Sequence, residues 1–285
     1  MAKEPISVSQ LREQYRNLRR LHMICAALAV LALILYFVEP WLTLAALALS
    51  LLINLFLVRT RSKAYTSEFI HLAALQTLQR HLEQAEHTHK PVLTEAQIRS
   101  ARMLPCNAAS GSVSLHEGGL GMFHGRKVVL GDVTLAHTFT EGSKKRHNFA
   151  VGCWATLDLE KDTGLDCRFI GANTTPEQSL KEMLWVESDL KQTGIPMALR
   201  SPWKVVCPED NITMPGDRFL KQLEKLHQKT DGLLAVSVQG DQLHILLVGQ
   251  ILGQKVTSRM EPGPNFHQAD LLPQLTAALE LSDLL

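Results

Sequence analysis

Residues 21–58 read LHMICAALAVLALILYFV, then Glu39-Pro40, then WLTLAALALSLLINLFLV. The two apolar runs, Leu21 to Val38 and Trp41 to Val58, contain no acidic residue, lysine or arginine. As a helix rising about 1.5 Å per residue each would be about 27 Å long, close to the hydrocarbon thickness of a bilayer. Pro40 has no N–H to donate and disfavours helix at the residue before it, and Glu39 is costly in hydrocarbon, so the pair predicts a turn at a membrane surface. The pattern reads as a transmembrane helical hairpin.

Working outward from this hairpin, Lys3, Arg12, Arg16, Arg19 and Arg20 precede the first run and Arg59, Arg61 and Lys63 follow the second, while the turn carries no basic residue. Basic flanks stay cytoplasmic, so both termini are expected inside, and Tyr36, Phe37 and Trp41 beside the turn suit the opposite headgroup layer. A cleaved signal peptide would share the basic lead, but the apolar stretch continues past any small-residue cleavage point near Ala45 to Ala48. A buried hairpin of a soluble protein would be shorter and broken by polar residues. Ala46, Ser50 and Asn54 form one stripe on the second helix, and Cys25, Ala29 and Ala32 a small face on the first, which fits close packing inside the hairpin better than a transport pore.

Beyond Val58 the helical spacing continues through Tyr65, Phe69, Leu72, Leu75, Leu78, Leu82 and Ala85, predicting a juxtamembrane helix that ends near Glu86 to Lys90. Its apolar stripe is expected on the chain's own globular domain or, as a parallel homodimer, against a second copy. A short helix follows over Thr94 to Met103, stopped by Pro105. The domain organisation expected is therefore a basic segment (1–20), the hairpin (21–58), a helical connector (59–103) and one cytoplasmic α+β domain (104–285).

Within that domain the period turns from helical to alternating. Ser112 to His116, Lys127 to Leu130, Val133 to Thr140, Phe149 to Leu159 and Leu165 to Ile170 read as strands of a mostly antiparallel meander, turning at Gly131-Asp132, Glu141-Gly142 and Lys161 to Gly164. Helical spacing returns over Thr175 to Leu190. The last unit is a strand Trp203 to Cys207, a helix from Pro215 to Gln228, and a hairpin, Leu233 to Val238 and Gln242 to Val248, whose Gly240 suits a type II′ turn. A leucine-rich helix is predicted over Gln268 to Leu285. The helices should pack on the sheet.

The order of these parts resembles a family of bacterial membrane proteins, domain of unknown function 3137. The likeness rests on the amino-terminal hairpin, the middle segment from Gly131-Asp132-Val133-Thr134 to Phe149, Gly152 and Trp154, and above all the stretch Trp203 to Asp210 with its following helix and hairpin. Lys204 and Cys207 depart from the family's more aromatic final strand. The resemblance implies architecture and a place in the bacterial inner membrane, and transfers no catalytic residue.

The formal net charge of +1, with no basic stripe in the polar remainder, argues against a nucleic-acid surface. Lys144-Lys145-Arg146-His147 reads as a solvated hairpin tip, with anionic lipid as the alternative. Cys25, Cys106, Cys153, Cys167 and Cys207 form no C-x-x-C pair and read as free thiols. Gly118-Gly119-Leu120-Gly121 lacks the Lys-Ser/Thr of a phosphate loop and reads as a flexible turn. Asp158, Glu160, Asp162 and Asp166 lack the glycine and final glutamate of an EF-hand. His81, His87 and His89 have no carboxylate or cysteine at ligand spacing, and His116, His124, His137, His147, His227, His244 and His267 are isolated. No catalytic, metal or cofactor residue is assigned. The chain reads as a membrane-tethered scaffold or envelope-associated binding protein that sits in the lipid bilayer and engages protein or lipid, a protein partner foremost, with a hydrolase assembling Cys153, Cys167 or Cys207 with a histidine in space as the rival.

Overall fold

A computed structural model describes residues 7–103, 111–141, 144–172, 190–200, 203–210, 212–230, 232–253, 257–263 and 270–285, the side chains of 111, 137–141, 144–149 and 172 excepted. The chain divides into two compact units, Met1–Ala73 with Gln254–Ala269, and Ala74–Gly253 with Asp270–Leu285.

In the first unit α1 (Val8–Leu35) opens on a capping box, Ser7 accepting from Gln10 N while the Gln10 side chain accepts from Ser7 N. After a turn over residues 36–38, α2 (Pro40–Leu52) starts with Pro40 in its first turn, where the missing N–H costs nothing. A π-helical stretch (Ile53–Val58) then runs without a break into α3 (Arg59–His81). Two helices, Val8–Leu35 and Pro40–His81, are long and apolar enough to cross a membrane. Their apolar side chains are unpacked: Leu33 is 69%, Trp41 77% and Phe56 69% exposed. A soluble core would bury them.

The small residues split as the helix geometry dictates. Cys25 and Ala32 are buried while Ala29 is exposed. The Ser50 hydroxyl donates to Cys25 O at 3.3 Å, so Ser50 serves packing within the hairpin. Asn54 is exposed. The π stretch adds a residue to the turn, so the packed face passes from Ile53 to Val58 and leaves Asn54 outside it. Further on, Tyr65, Phe69 and Leu72 of α3 pack with Leu11 and Leu18 of α1, so this stretch of the seam is occupied within the chain.

The second unit is α+β. Among the described residues nine strands form one antiparallel sheet in the order β1-β2-β3-β4-β9-β8-β5-β7-β6. They are β1 (Glu83–Thr88), β2 (Gly111–Phe123), β3 (Arg126–Glu141), β4 (Lys144–Asp158), β5 (Asp166–Ala172), β6 (Leu190–Gln192), β7 (Trp203–Pro208), β8 (Leu233–Gln239) and β9 (Gln242–Val248). One face, with Cys153, Phe169, Val236 and Ile245, packs with Phe219, Leu220, Leu223 and Leu226 of α5 (Asp217–Lys229) and Leu275, Ala278 and Leu279 of α6 (Leu275–Leu279). The other, with Trp154, Ile170, Ala235 and Leu246, packs with Leu93, Ile98, Ala101 and Met103 around α4 (Glu95–Ser100). Both faces are covered, which is why β8 reads as a nearly continuous apolar run.

The final unit of the sequence is found as expected, and Gly240, at φ +56°, supplies the first central position of its hairpin turn. Several expectations need correction. The juxtamembrane helix stops at His81: Gln84 takes φ +50°, and residues 83–88 form edge strand β1 rather than a polar helix end. Gly118 to Gly121 are no turn but the middle of β2. A Cβ on Gly119 would sit 2.4 Å from Leu78 Cδ1, and one on Gly121 2.8 Å from Leu82 Cβ, so the glycines let the residues at the end of α3 lie against the strand. The turn comes at His124 (φ +50°) and Gly125 (φ +80°), a positive-φ pair suited to a two-residue hairpin. Gly131-Asp132 also lies inside a strand, so one long β3 replaces two.

The meander ends at β4, because β9 pairs there and β5 lies between β8 and β7. The carboxy-terminal helix is limited to Leu275–Leu279 plus a 3₁₀ turn (Glu280–Leu284). The short helix expected over Thr94 to Met103 is Glu95–Ser100, capped by Thr94. Of the helix expected over Thr175 to Leu190 only Leu190 is described, and it opens β6. The backbones of Glu141 and Lys144 pair at the end of β3 and β4; residues 142–143 of the expected tip lie outside the described residues.

Candidate functional site

Three neighbouring strands bring five titratable side chains to one corner of the sheet. Edge strand β1 contributes His87 and His89. In β2 the register shifts between Leu115 and Gly118, so that His116 and Glu117 together stand opposite the single residue Asp132 of β3. A bulge of this kind re-aims side chains. It turns Glu117 toward β1, where His87 Nε2 lies 3.3 Å from Glu117 Oε2 and His89 Nδ1 3.2 Å from Glu117 Oε1. Each carboxylate oxygen thus faces one imidazole, and the two rings meet edge to face at 5.4 Å.

Asp132 lies beside this pair, 4% exposed. Its Oδ1 accepts from Leu252 N at 2.8 Å and its Oδ2 from Gly253 N at 2.6 Å, which ties the segment after β9 to the middle of β3. Gly253 separates the two acids: a Cβ there would be 3.2 Å from Asp132 Oδ2 and 3.6 Å from Glu117 Oε2. His116 Nε2 rests 3.0 Å from Thr134 Oγ1 on the same face.

The two acids are pushed apart electrostatically. Burial raises the Asp132 pKa to about 6, the two backbone amides opposing it and the Glu117 charge reinforcing it. Burial acts on Glu117 in the same direction, but hydrogen bonding to and the charge of His87 and His89 outweigh it and hold its pKa below the usual range. One carboxyl therefore exchanges a proton near neutrality while its neighbour stays ionised between imidazoles. The corner can take up or release protons near pH 6 and can accept a cationic or hydrogen-bonding group; among the described residues no three such side chains are arranged to hold a metal.

The remaining sequence candidates scatter. His81 leaves the other two histidines and contacts Asp270 at 2.8 Å and Thr276. The acidic run divides: Asp162 accepts from Gly164 N at 2.8 Å, Asp166 pairs with Arg168 at 2.5 Å, and Glu160 lies 3.8 Å from Arg126. His124 joins Asp283, and His227 lies against Trp203 with the rings tilted by 48°. Cys106 and the side chains of His137, His147 and His267 lie outside the described residues.

Cys153, Cys167 and Cys207 are each at most 1% exposed. Burial pushes all three thiols up, the Asp132 charge adding to it at Cys153 and the Cys207 charge at Cys167. A neutral, enclosed thiol is a poor nucleophile.

A second polar group escaped the sequence reading. Thr156, His244, Ser237 and Arg168 stand side by side in one register row across β4, β9, β8 and β5, each no more than 4% exposed. Thr156 Oγ1 is 3.2 Å from His244 Nδ1, while Arg168 Nε and Ser237 Oγ both donate to Ala101 O. Burial, reinforced by Arg168, lowers the His244 pKa to about 4. The available signal was the alternation: Arg168 follows Cys167 and precedes Phe169, so in a sheet covered on both faces it had to be buried. Compared with protein families, curated proteins and solved structures, the chain has no match.

Proposed function

We propose that the chain is an integral protein of the bacterial inner membrane, related to the family it resembles, whose cytoplasmic α+β domain is an interaction module of a scaffold or envelope-associated binding protein. The observation that carries this reading is the pair of long, unpacked apolar helices, the second continuous from Pro40 to His81. Basic residues flank both spans and none lies in the turn, which supports both termini inside. The His89–Glu117 pair, backed by the buried His87 and Asp132, is the contact point for a protein partner, because it presents ionisable groups on a partly open sheet edge. The enclosed thiols disfavour the hydrolase reading. Any self-association belongs on Asn54, whose carboxamide would gain a hydrogen-bonding partner from another helix.

A reporter enzyme active only outside the cytoplasm, fused after Leu285, is expected to be silent, and a cytoplasmic reporter at the same place active. The reverse pattern overturns the topology. Affinity capture from native membranes with the wild-type chain and with His87→Ala/Glu117→Gln tests the contact point. A partner lost only on the variant supports it, and identical captures refute it.

A further inference from the structure

On α1, Arg12, Arg16 and Arg20 recur at four-residue spacing on one helix face, opposite the face on which Leu11 and Leu18 pack with α3 and Cys25 meets Ser50 of α2. With Ser9, Glu13 and Asn17 of the same helix they line an open, polar cleft along one face of α1. A neighbouring cleft of about 390 Å³ is bounded by Arg12, Arg16 and the segment Glu261 to Gly263. Arg12 is fixed: its Nε donates to Pro262 O at 3.2 Å and its Nη2 to Gly263 O at 3.3 Å. Arg16 and Arg20 are exposed and have no partner among the described residues, although Glu13 lines the same cleft.

The depth of these groups identifies what they meet. Arg20 adjoins Leu21, the first residue of the apolar span, and at about 1.5 Å per residue Arg16 and Arg12 lie about 6 and 12 Å farther out. The headgroup layer on one side of a bilayer is about 5–8 Å thick, so Arg20 and Arg16 sit at phosphate level, with the buttressed Arg12 a few ångströms beyond it on the aqueous side. Guanidinium groups in this arrangement present paired donors to phosphate oxygens.

We propose that the Arg12–Arg16–Arg20 cleft binds the headgroup of an anionic glycerophospholipid, Arg16 and Arg20 donating to its phosphodiester and Arg12 closing the outer end. This rests on α1 crossing the membrane. The site is specific to α1: Arg59, Arg61 and Lys63, at the same level after the second span, are exposed but line neither cleft.

The test is native mass spectrometry of the full-length chain in neutral detergent, titrated with phosphatidylglycerol or phosphatidylcholine. The wild-type chain is expected to retain phosphatidylglycerol in preference, and Arg16→Gln/Arg20→Gln, which leaves the Arg12 bonds in place, to lose about tenfold in that affinity. Arg59→Gln/Lys63→Gln removes the same charge from the other helix and is expected to change it by less than threefold. Equal loss in both variants would mean diffuse surface charge and overturn the site, as would no preference between the lipids. Competition by millimolar inorganic phosphate would assign the cleft to a soluble anion instead. Partition into membranes, scored separately by flotation, tells failure of this site from failure of the membrane reading: a chain that floats but shows no lipid preference refutes the site alone.

Discussion

Replacing Asp132 with Asn isolates one titration with a defined sign. The folded-state pKa is raised to about 6 from an ordinary 3.8, so between these values the folded chain holds a proton that the unfolded chain has released. Above pH 6 both states are ionised and folding bears the full cost of the buried charge. As pH falls through 6 toward 3.8 that cost is relieved, so the contribution of Asp132 becomes more favourable in acid, the reverse of an ion-paired carboxylate. At about 1.4 kcal/mol per pKa unit the relief is about 1.4 kcal/mol at pH 5 and about 2 kcal/mol at pH 4.5, relative to pH 7. Glu117, held below its usual range, works oppositely, losing its stabilising effect as pH falls, but it is present in both chains. The assay is denaturant unfolding of the full chain in neutral detergent, followed by the fluorescence of Trp154 and Trp203, at pH 7, 6, 5 and 4.5. The wild-type stability minus that of Asp132→Asn should rise by about 2 kcal/mol over this range. Parallel pH curves, or a difference that falls in acid, would refute the burial argument.

Two further outcomes follow from packing. Gly119→Ala forces a methyl group to 2.4 Å from Leu78 Cδ1 and 3.1 Å from Glu86 O, so unfolding measured as above should show a loss of about 1–3 kcal/mol, while Gly125→Asn, in open space at φ +80°, should be far milder. A water-soluble maleimide should leave Cys153, Cys167 and Cys207 unmodified in the native chain and label them after denaturation; fast native labelling of any of the three, read by peptide mass spectrometry, would return the hydrolase reading.

What was legible in the sequence was what repeats locally. The apolar runs, the Glu39-Pro40 break, the α5 stripe of Phe219, Leu220, Leu223 and Leu226, and the Gly240 hairpin are each fixed by neighbours a few residues apart, and each is found in the structure. Glycine misled at Gly118 to Gly121 and at Gly131, which were read as punctuation, while Gly164 and Gly240 do turn the chain at positive φ. At Gly119 and Gly121 its role is to omit a side chain under Leu78 and Leu82, a contact made with residues some forty positions earlier. The candidate site failed for the same reason: His87 and His89 have no carboxylate at ligand spacing in their own segment, and Glu117 arrives from the next strand, through a bulge with no local signature. Sheet order was equally hidden, since β9 pairs with β4 across nearly one hundred residues of chain.

The buried row Thr156–His244–Ser237–Arg168 needs an account other than reactivity. Its donors converge on one atom, the carbonyl of Ala101 at the carboxy-terminal cap of α4, where helix carbonyls lack internal partners and cations are favoured. Arg102, the next residue, takes φ +53°, the left-handed conformation that ends a helix and turns the chain away. Arg168 therefore caps α4 from beneath, while Asp166, two residues back on the same face of β5, partners its guanidinium at 2.5 Å. A one-residue slip of β5 would carry Arg168 to the opposite face, into the core of Phe169, Val236 and Phe219, and leave Ala101 without these donors. The charge thus sets the register of β5 and the seat of α4 together, and the neutral His244 beside it, held to a pKa of about 4, completes the row without adding a second charge.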